Sequence, residues 1–142
     1  MIRPLEVTDY DKDYLALLNQ LRPVEAYALS SFESVYRDYQ DNKQHHIFVI
    51  EEENMIVGTI TVLLETKFIY EGRKLAHIED LVVHEDHRKK GYGGKLVTHC
   101  VDFCKEQGCK KIALCSRKTS EEFYYKKGYD VIGNYFAKYL DL

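Results

Sequence analysis

Apolar and polar positions fall into blocks whose periods differ. Residues 2–7 alternate as a strand does, Thr8-Asp9 breaks the alternation, and Tyr14, Leu17, Leu18 and Leu21 then recur at helical spacing. Pro23 ends that amphipathic helix. A second helix is expected from Ser30 or Ser31 to about Asn42, with Phe32, Val35, Tyr36 and Tyr39 on one side. Residues 47–50 and 55–64 are rich in β-branched and apolar types, and the polar link Glu51-Glu52-Glu53-Asn54 makes them an antiparallel hairpin. Residues 67–72 read as an irregular connection, 74–83 as a fourth strand, 91–107 as a long helix and 111–115 as a fifth strand.

In the long helix Leu96, Cys100 and Phe103 form one stripe with Val97, Val101 and Cys104 beside it, a broad core-facing surface closed by Gly108 as a C-cap. Residues 120–127 form a short helix ended by Gly128, and the tail 129–142 supplies one or two final strands broken near Gly133-Asn134. This order predicts one α/β domain over residues 1–142, a mixed sheet with about four helices and no internal repeat.

Composition narrows the function classes. A chain of 142 residues closes one core, and 45% hydrophobic with 13% aromatic residues, without low-complexity runs, is the make-up of a folded protein. A net charge of -3 and a pI near 6.1 exclude a general nucleic-acid binder, which needs a surplus of basic residues on one face. Positive charge is local instead, at residues 87–90, Lys110-Lys111, Arg117-Lys118 and Lys126-Lys127, and suits a compact anionic ligand. No apolar run reaches membrane-spanning length and the first residues lack the apolar core of a secretory signal, so a cytoplasmic location is expected. Cys100, Cys104, Cys109 and Cys115 then stay reduced. No metal is expected: His84-Glu85-Asp86-His87 is not H-E-x-x-H, and His99 and Cys100 diverge around a helix.

The most informative stretch joins the fourth strand to the long helix: Arg88-Lys89-Lys90-Gly91-Tyr92-Gly93-Gly94-Lys95. Glycines let a ligand approach the backbone, unpaired N–H groups of a first helical turn point outward, and the helix dipole favours negative charge. Arg88, Lys89 and Lys95 can add cationic contacts. A P-loop needs G-x-x-x-x-G-K-[ST], but Gly91 precedes Gly94 by only three residues and Leu96 follows Lys95. The dinucleotide spacing G-x-G-x-x-G also fails.

The stretch does fit [RQ]-x-x-G-x-[GA], with Arg88 leading and Gly91 and Gly93 in the glycine positions, the acyl-CoA pyrophosphate loop of the GNAT family of N-acetyltransferases. The chain resembles that family over residues 2–140, and its fourth strand, Ala76-His77-Ile78-Glu79-Asp80-Leu81-Val82-Val83, is similar to the family's. The resemblance implies a mostly antiparallel mixed sheet splayed between the fourth and fifth strands, with a bulge at 81–83 making a V-shaped cleft. It implies acetyl-CoA as co-substrate, its pantetheine along Leu81, Val82 and Val83, its pyrophosphate at residues 88–95 (Arg88, Lys89, Lys90, Gly91, Tyr92, Gly93, Gly94, Lys95), and Ser120 also on the cofactor side. The N–H of Leu81 or Val82 would polarise the thioester carbonyl.

Direct transfer needs a neutral amine and a proton for the departing thiolate. Phe123-Tyr124-Tyr125-Lys126-Lys127-Gly128-Tyr129 resembles the family's "FYxKxGF" segment, which makes Tyr124 the candidate acid. Glu79 and Asp80 are adjacent on a strand, so one faces the cleft and the other turns away, with Glu79 the favoured base. The strand His77-Ile78-Glu79-Asp80 and the segment Lys67-Phe68-Ile69-Tyr70 look most like glucosamine-6-phosphate N-acetyltransferases. That likeness places Lys67, Tyr70, Glu79, Asp80, Cys115 and Lys138 on the substrate side, Lys138 standing for a phosphate-binding arginine and Cys115 where the subfamily has an acid. Within the family, peptide and polyamine amines are alternative acceptors, a non-catalytic CoA-binding module is the alternative to an enzyme, and a homodimer is the expected assembly.

Overall fold

The computed structural model describes residues 1–140. Its elements are β1 (Ile2–Pro4), α1 (Tyr14–Leu21), α2 (Leu29–Asp41), β2 (His45–Glu52), β3 (Met55–Thr66), β4 (Lys74–Val83), α3 (Tyr92–Glu106), β5 (Cys109–Leu114) and α4 (Glu121–Tyr125). The sheet order is β1-β2-β3-β4-β5. The first four strands are antiparallel neighbours, and β4 and β5 are parallel because α3 carries the chain back across one face.

Helices cover both faces, so the central strands are buried on both sides. On one face Leu96, Val97, Cys100 and Cys104 of α3 pack on Phe48, Ile50, Val57, Ile60, Val62 and Ile78. On the other, Tyr14, Leu15 and Leu17 of α1 and Phe32 of α2 pack on Val49, Ile56 and Val82. Phe48 against Val49 and Ile56 against Val57 show strand alternation dividing one run between two cores. At Gly58 a Cβ would stand 3.2 Å from Leu96 Cδ1, so this glycine sets how closely α3 approaches β3.

A polar cluster pins the edge of the second core. Asp9, with no exposed surface, accepts from Arg3 Nη2 at 2.8 Å, Arg3 Nη1 at 2.9 Å and the Glu6 N–H at 2.9 Å. Lys12 Nζ lies 3.8 Å from the Asp9 carboxylate and 3.0 Å from that of Glu51. These contacts join β1 and β2 to the 3-10 turn Val7–Lys12 that leads into α1.

Two differences from the sequence-based expectation shape the site. Thr61 pairs with Glu79 and Thr59 with Val82, so Ile60 alone faces both Asp80 and Leu81. The bulge is therefore at Asp80-Leu81, earlier than the expected 81–83, and Asp80 takes the left-handed φ of 49° that absorbs the extra residue. The second difference is the tail: the described residues 129–140 form no strand. Val131, Ile132, Tyr135, Phe136, Tyr139 and Leu140 are exposed, Phe136 to 88%, because nothing among the described residues covers them.

Candidate functional site

Pairing of β4 with β5 stops at Ile78 and Leu114, while β4 continues to Val83. Beyond that point the two strands part, and residues 79–83 border a cavity of about 480 Å³ with no β5 partner for their backbone groups. The size suits a small-molecule site. Glu79 and Asp80 both line this cavity. The expectation that one would turn away is corrected by the left-handed Asp80, which interrupts the strand alternation on which that expectation rested.

The glycine-rich turn has the geometry its composition calls for. His84 extends the ladder through its N–H to the Val57 carbonyl at 2.8 Å, and its Nδ1 accepts from the Asp86 N–H at 3.2 Å. Lys89 and Gly91 then take left-handed φ values of 64° and 80°, and α3 begins at Tyr92 with no side chain capping its first turn. The first N–H groups of α3 are left for a ligand. Arg88 folds back beside the turn, its Nε donating to the Val83 carbonyl at 3.1 Å. Lys95 lies over the Tyr92 ring at 5.5 Å. Lys90 leans away, with its Nζ 3.7 Å from Glu52.

Lys127 is a neighbour that motif reading passed over. Its Nζ stands 3.2 Å from where a Cβ on Gly94 would be and 5.2 Å from the Phe123 ring centroid. An ammonium carried after α4 thus stands over the first turn of α3. The doubled Lys126-Lys127 was the available signal, but only the fold shows which lysine reaches the turn.

Tyr124, half-buried, lines the cavity, its ring edge-on to Phe123 at 5.0 Å and to Tyr129 at 5.7 Å. Burial raises its pKa above the ordinary tyrosine value, so the hydroxyl holds its proton at neutral pH. Ser120 and Cys115 also line the cavity. A protonated hydroxyl, two carboxylates and unpaired β4 backbone on one cavity are the parts an acyl transfer to an amine requires.

Three expected substrate residues lie elsewhere. Lys67 is 3.7 Å from Glu65, and the Tyr70 ring meets Lys110 at 5.4 Å, at the end of the sheet where β4 and β5 begin. Several residues of β4, at about 3.3 Å each, separate that end from Glu79. Lys138 is exposed on the tail and does not line the cavity, although Tyr135 of the same tail does.

Comparison with known proteins agrees with this geometry. Residues 12–129 match the Acetyltransferase (GNAT) family. The chain is 37% identical to the glucosamine 6-phosphate N-acetyltransferase of Arabidopsis thaliana, over 99% of this chain and 96% of that one. It is 33% identical to a probable glucosamine 6-phosphate N-acetyltransferase of Oryza sativa, over 97% and 86%. The crystal structure of glucosamine-6-phosphate N-acetyltransferase from Arabidopsis thaliana superposes with a TM-score of 0.95 at 35% identity, covering 99% of this chain and 98% of that one. An acetyltransferase of Trypanosoma brucei follows with a TM-score of 0.91 at 28% identity, covering 100% and 99%. With family, fold and cleft in agreement, the chain belongs to the GNAT family and is an acetyl-CoA-dependent N-acetyltransferase.

Proposed function

We propose that this enzyme acetylates the amine of glucosamine 6-phosphate by direct attack on the thioester. The observation that carries the chemistry is the Asp80-Leu81 bulge, which sets two carboxylates and an unpaired strand edge on the cavity that Tyr124 lines. The sugar phosphate is supported by relatives of that activity aligned over nearly the whole chain. Pantetheine runs along Leu81 to Val83 as an added strand, with Ser120 beside it. The pyrophosphate meets the open turn from Arg88 to Lys95, with Lys127 adding charge from α4's side. Glu79 orients the amine and takes its proton, Asp80 and Cys115 border the acceptor, the Leu81 or Val82 N–H holds the developing oxyanion, and Tyr124 protonates the thiolate.

Thiol release from acetyl-CoA, measured with glucosamine 6-phosphate, glucosamine, a polyamine and a peptide N-terminus, should give the largest kcat/KM for the sugar phosphate. Another amine in first place overturns the acceptor, and no turnover with intact cofactor binding leaves a CoA-binding module. Glu79→Gln should lower kcat by about a hundredfold, the usual worth of a positioned base. In Lys127→Leu the KM for acetyl-CoA should rise about fivefold at unchanged kcat, since one charge-assisted phosphate contact is lost. An unchanged KM removes Lys127 from the cofactor site.

The chain works as a homodimer built through its tail. Val131, Ile132, Tyr135, Phe136, Tyr139 and Leu140 are apolar and uncovered, and β5 is an edge strand. Sedimentation should give twice the chain mass, and Phe136→Asp should shift it towards one chain; a monomeric unaltered protein removes this assembly. The four free cysteines suit a reducing compartment such as the cytoplasm.

A further inference from the structure

The cavity that holds Glu79 and Asp80 is also bordered by three arginines, Arg22, Arg88 and Arg117. Arg88 is committed to the Val83 carbonyl beside the glycine-rich turn. The other two belong to segments that meet at the C-terminal end of α1. Arg117, in the link from β5 to α4, reaches across to the last residue of α1, its Nη2 donating to the Leu21 carbonyl at 3.5 Å. Arg22 is the next residue along the chain.

Among the described residues Arg3, Lys12, Lys67, Lys90, Lys105 and Lys126 have an ion pair with a carboxylate. Arg22 and Arg117 have none among the described residues, in a chain with 23 acidic side chains against 20 basic ones. The negative end of the α1 dipole steadies Arg117, and a contact at the outer limit of hydrogen bonding is readily exchanged for a stronger acceptor. Helix-end capping explains the pose of Arg117 but not why a second free guanidinium borders the same cavity. Nor do these arginines pair with Glu79 or Asp80, although all four line it. The cavity therefore offers both carboxylates and guanidinium groups that do not neutralise one another, complementary to a ligand that carries an ammonium and a phosphate.

We propose that Arg22 and Arg117 are the clamp for the acceptor's phosphate group, in place of Lys138. The assignment rests on the amino sugar phosphate reading above, and it adds the residues that read the phosphate. Planar guanidinium donors suit phosphate oxygens better than one exposed lysine does. Glucosamine 6-phosphate and glucosamine carry the same amine, so their comparison isolates the phosphate.

The test is steady-state kinetics of the intact enzyme and of Arg22→Ala, Arg117→Ala, the double variant and Lys138→Ala, with both sugars. Each arginine variant should raise the KM for glucosamine 6-phosphate about tenfold, as loss of a charge-assisted contact does. Turnover of glucosamine and the KM for acetyl-CoA should hold, and the double variant should lose the preference for the phosphorylated sugar. Both side chains are exposed, so thermal unfolding should be little changed. An unchanged preference in the double variant overturns the clamp while leaving the acceptor intact. A raised KM for acetyl-CoA alone reassigns the arginines to the cofactor, and loss of preference in Lys138→Ala alone returns the phosphate to the tail. Failure of the unaltered enzyme to acetylate the sugar phosphate overturns the acceptor reading itself, and the clamp with it.

Discussion

Tyr124→Phe is expected to lower kcat by about a hundredfold while leaving the KM for acetyl-CoA and the folded structure close to unchanged. The substitution removes one oxygen and keeps the ring that packs on Phe123 and Tyr129. A thiolate of pKa near 8.5 is a fair leaving group, so an acid here contributes at the lower end of the range for proton transfer, about two orders of magnitude. Burial keeps the Tyr124 hydroxyl protonated well past neutral pH, so the alkaline fall in kcat that belongs to this acid should lie above the ordinary tyrosine value, near 10. The sign is fixed: the acid form donates, so activity is lost as pH rises through the raised pKa. In the phenylalanine variant that limb should vanish. Tyr129→Phe is the control, because the Tyr129 hydroxyl is buried without a hydrogen-bond partner among the described residues and its pKa is pushed up to about 12 by burial. Removing an unsatisfied hydroxyl should cost little stability and leave kcat alone. Equal rates for the wild-type enzyme and Tyr124→Phe would reduce Tyr124 to an aromatic anchor.

The parts of this site that were legible in the sequence are those set by local period and backbone chemistry. The spacing of Tyr14, Leu17, Leu18 and Leu21 gave α1, and Gly91 stands just before α3 because the turn enters this helix through a left-handed residue. What was not legible depends on pairing between distant segments. The family resemblance led to a bulge at 81–83, but its place at Asp80-Leu81 is a mismatch of register between β3 and β4, and the residues 79–83 alone look like any apolar strand with two acids in it. Once Asp80 adopts a left-handed φ, alternation no longer tells which carboxylate faces the cleft. The segment Lys67 to Tyr70 resembles a sugar-pocket segment, yet β4 lies between it and the cavity, so within one chain the likeness in sequence does not become proximity. The tail has apolar residues fit for strands, but a strand forms only against a partner edge, and its sequence does not say which chain supplies it. Arg22 and Arg117 are far apart in sequence and carry no motif; only the fold brings Arg117 to the Leu21 carbonyl, one residue before Arg22, and both to one cavity.

Asp9→Ala is expected to be the most destabilising single change, by about 3 kcal/mol, and to reach the acceptor site from a distance. Nothing in the sequence marks Asp9, since Thr8-Asp9 only breaks the strand alternation ahead of the first helix, but the fold leaves it with no exposed surface. Its carboxylate accepts three hydrogen bonds, two from Arg3 and one from the Glu6 N–H, so alanine strands a guanidinium and an amide at the core edge. Arg3 is 21% exposed at its side chain and still has Glu51, which keeps the loss at the low end for a broken buried pair. A drop of this size lowers Tm by about 10 °C in a chain of this length. Asp11→Ala, two residues on and exposed, should shift Tm by less than about 2 °C. The consequence for catalysis follows from connectivity. The 3-10 turn that Asp9 stabilises enters α1 through Asp13 at a φ of 60°, and α1 carries Gln20, which accepts the Glu85 N–H at 2.9 Å, and Leu21, with Arg22 directly after it on the cavity wall. Below its lowered Tm the variant should therefore bind acetyl-CoA as before, since α3 belongs to the other core, but show a raised KM for the amine. Equal melting of Asp9→Ala and Asp11→Ala would show that the cluster does not hold this edge of the core, and an unchanged amine KM that α1 keeps its place without it.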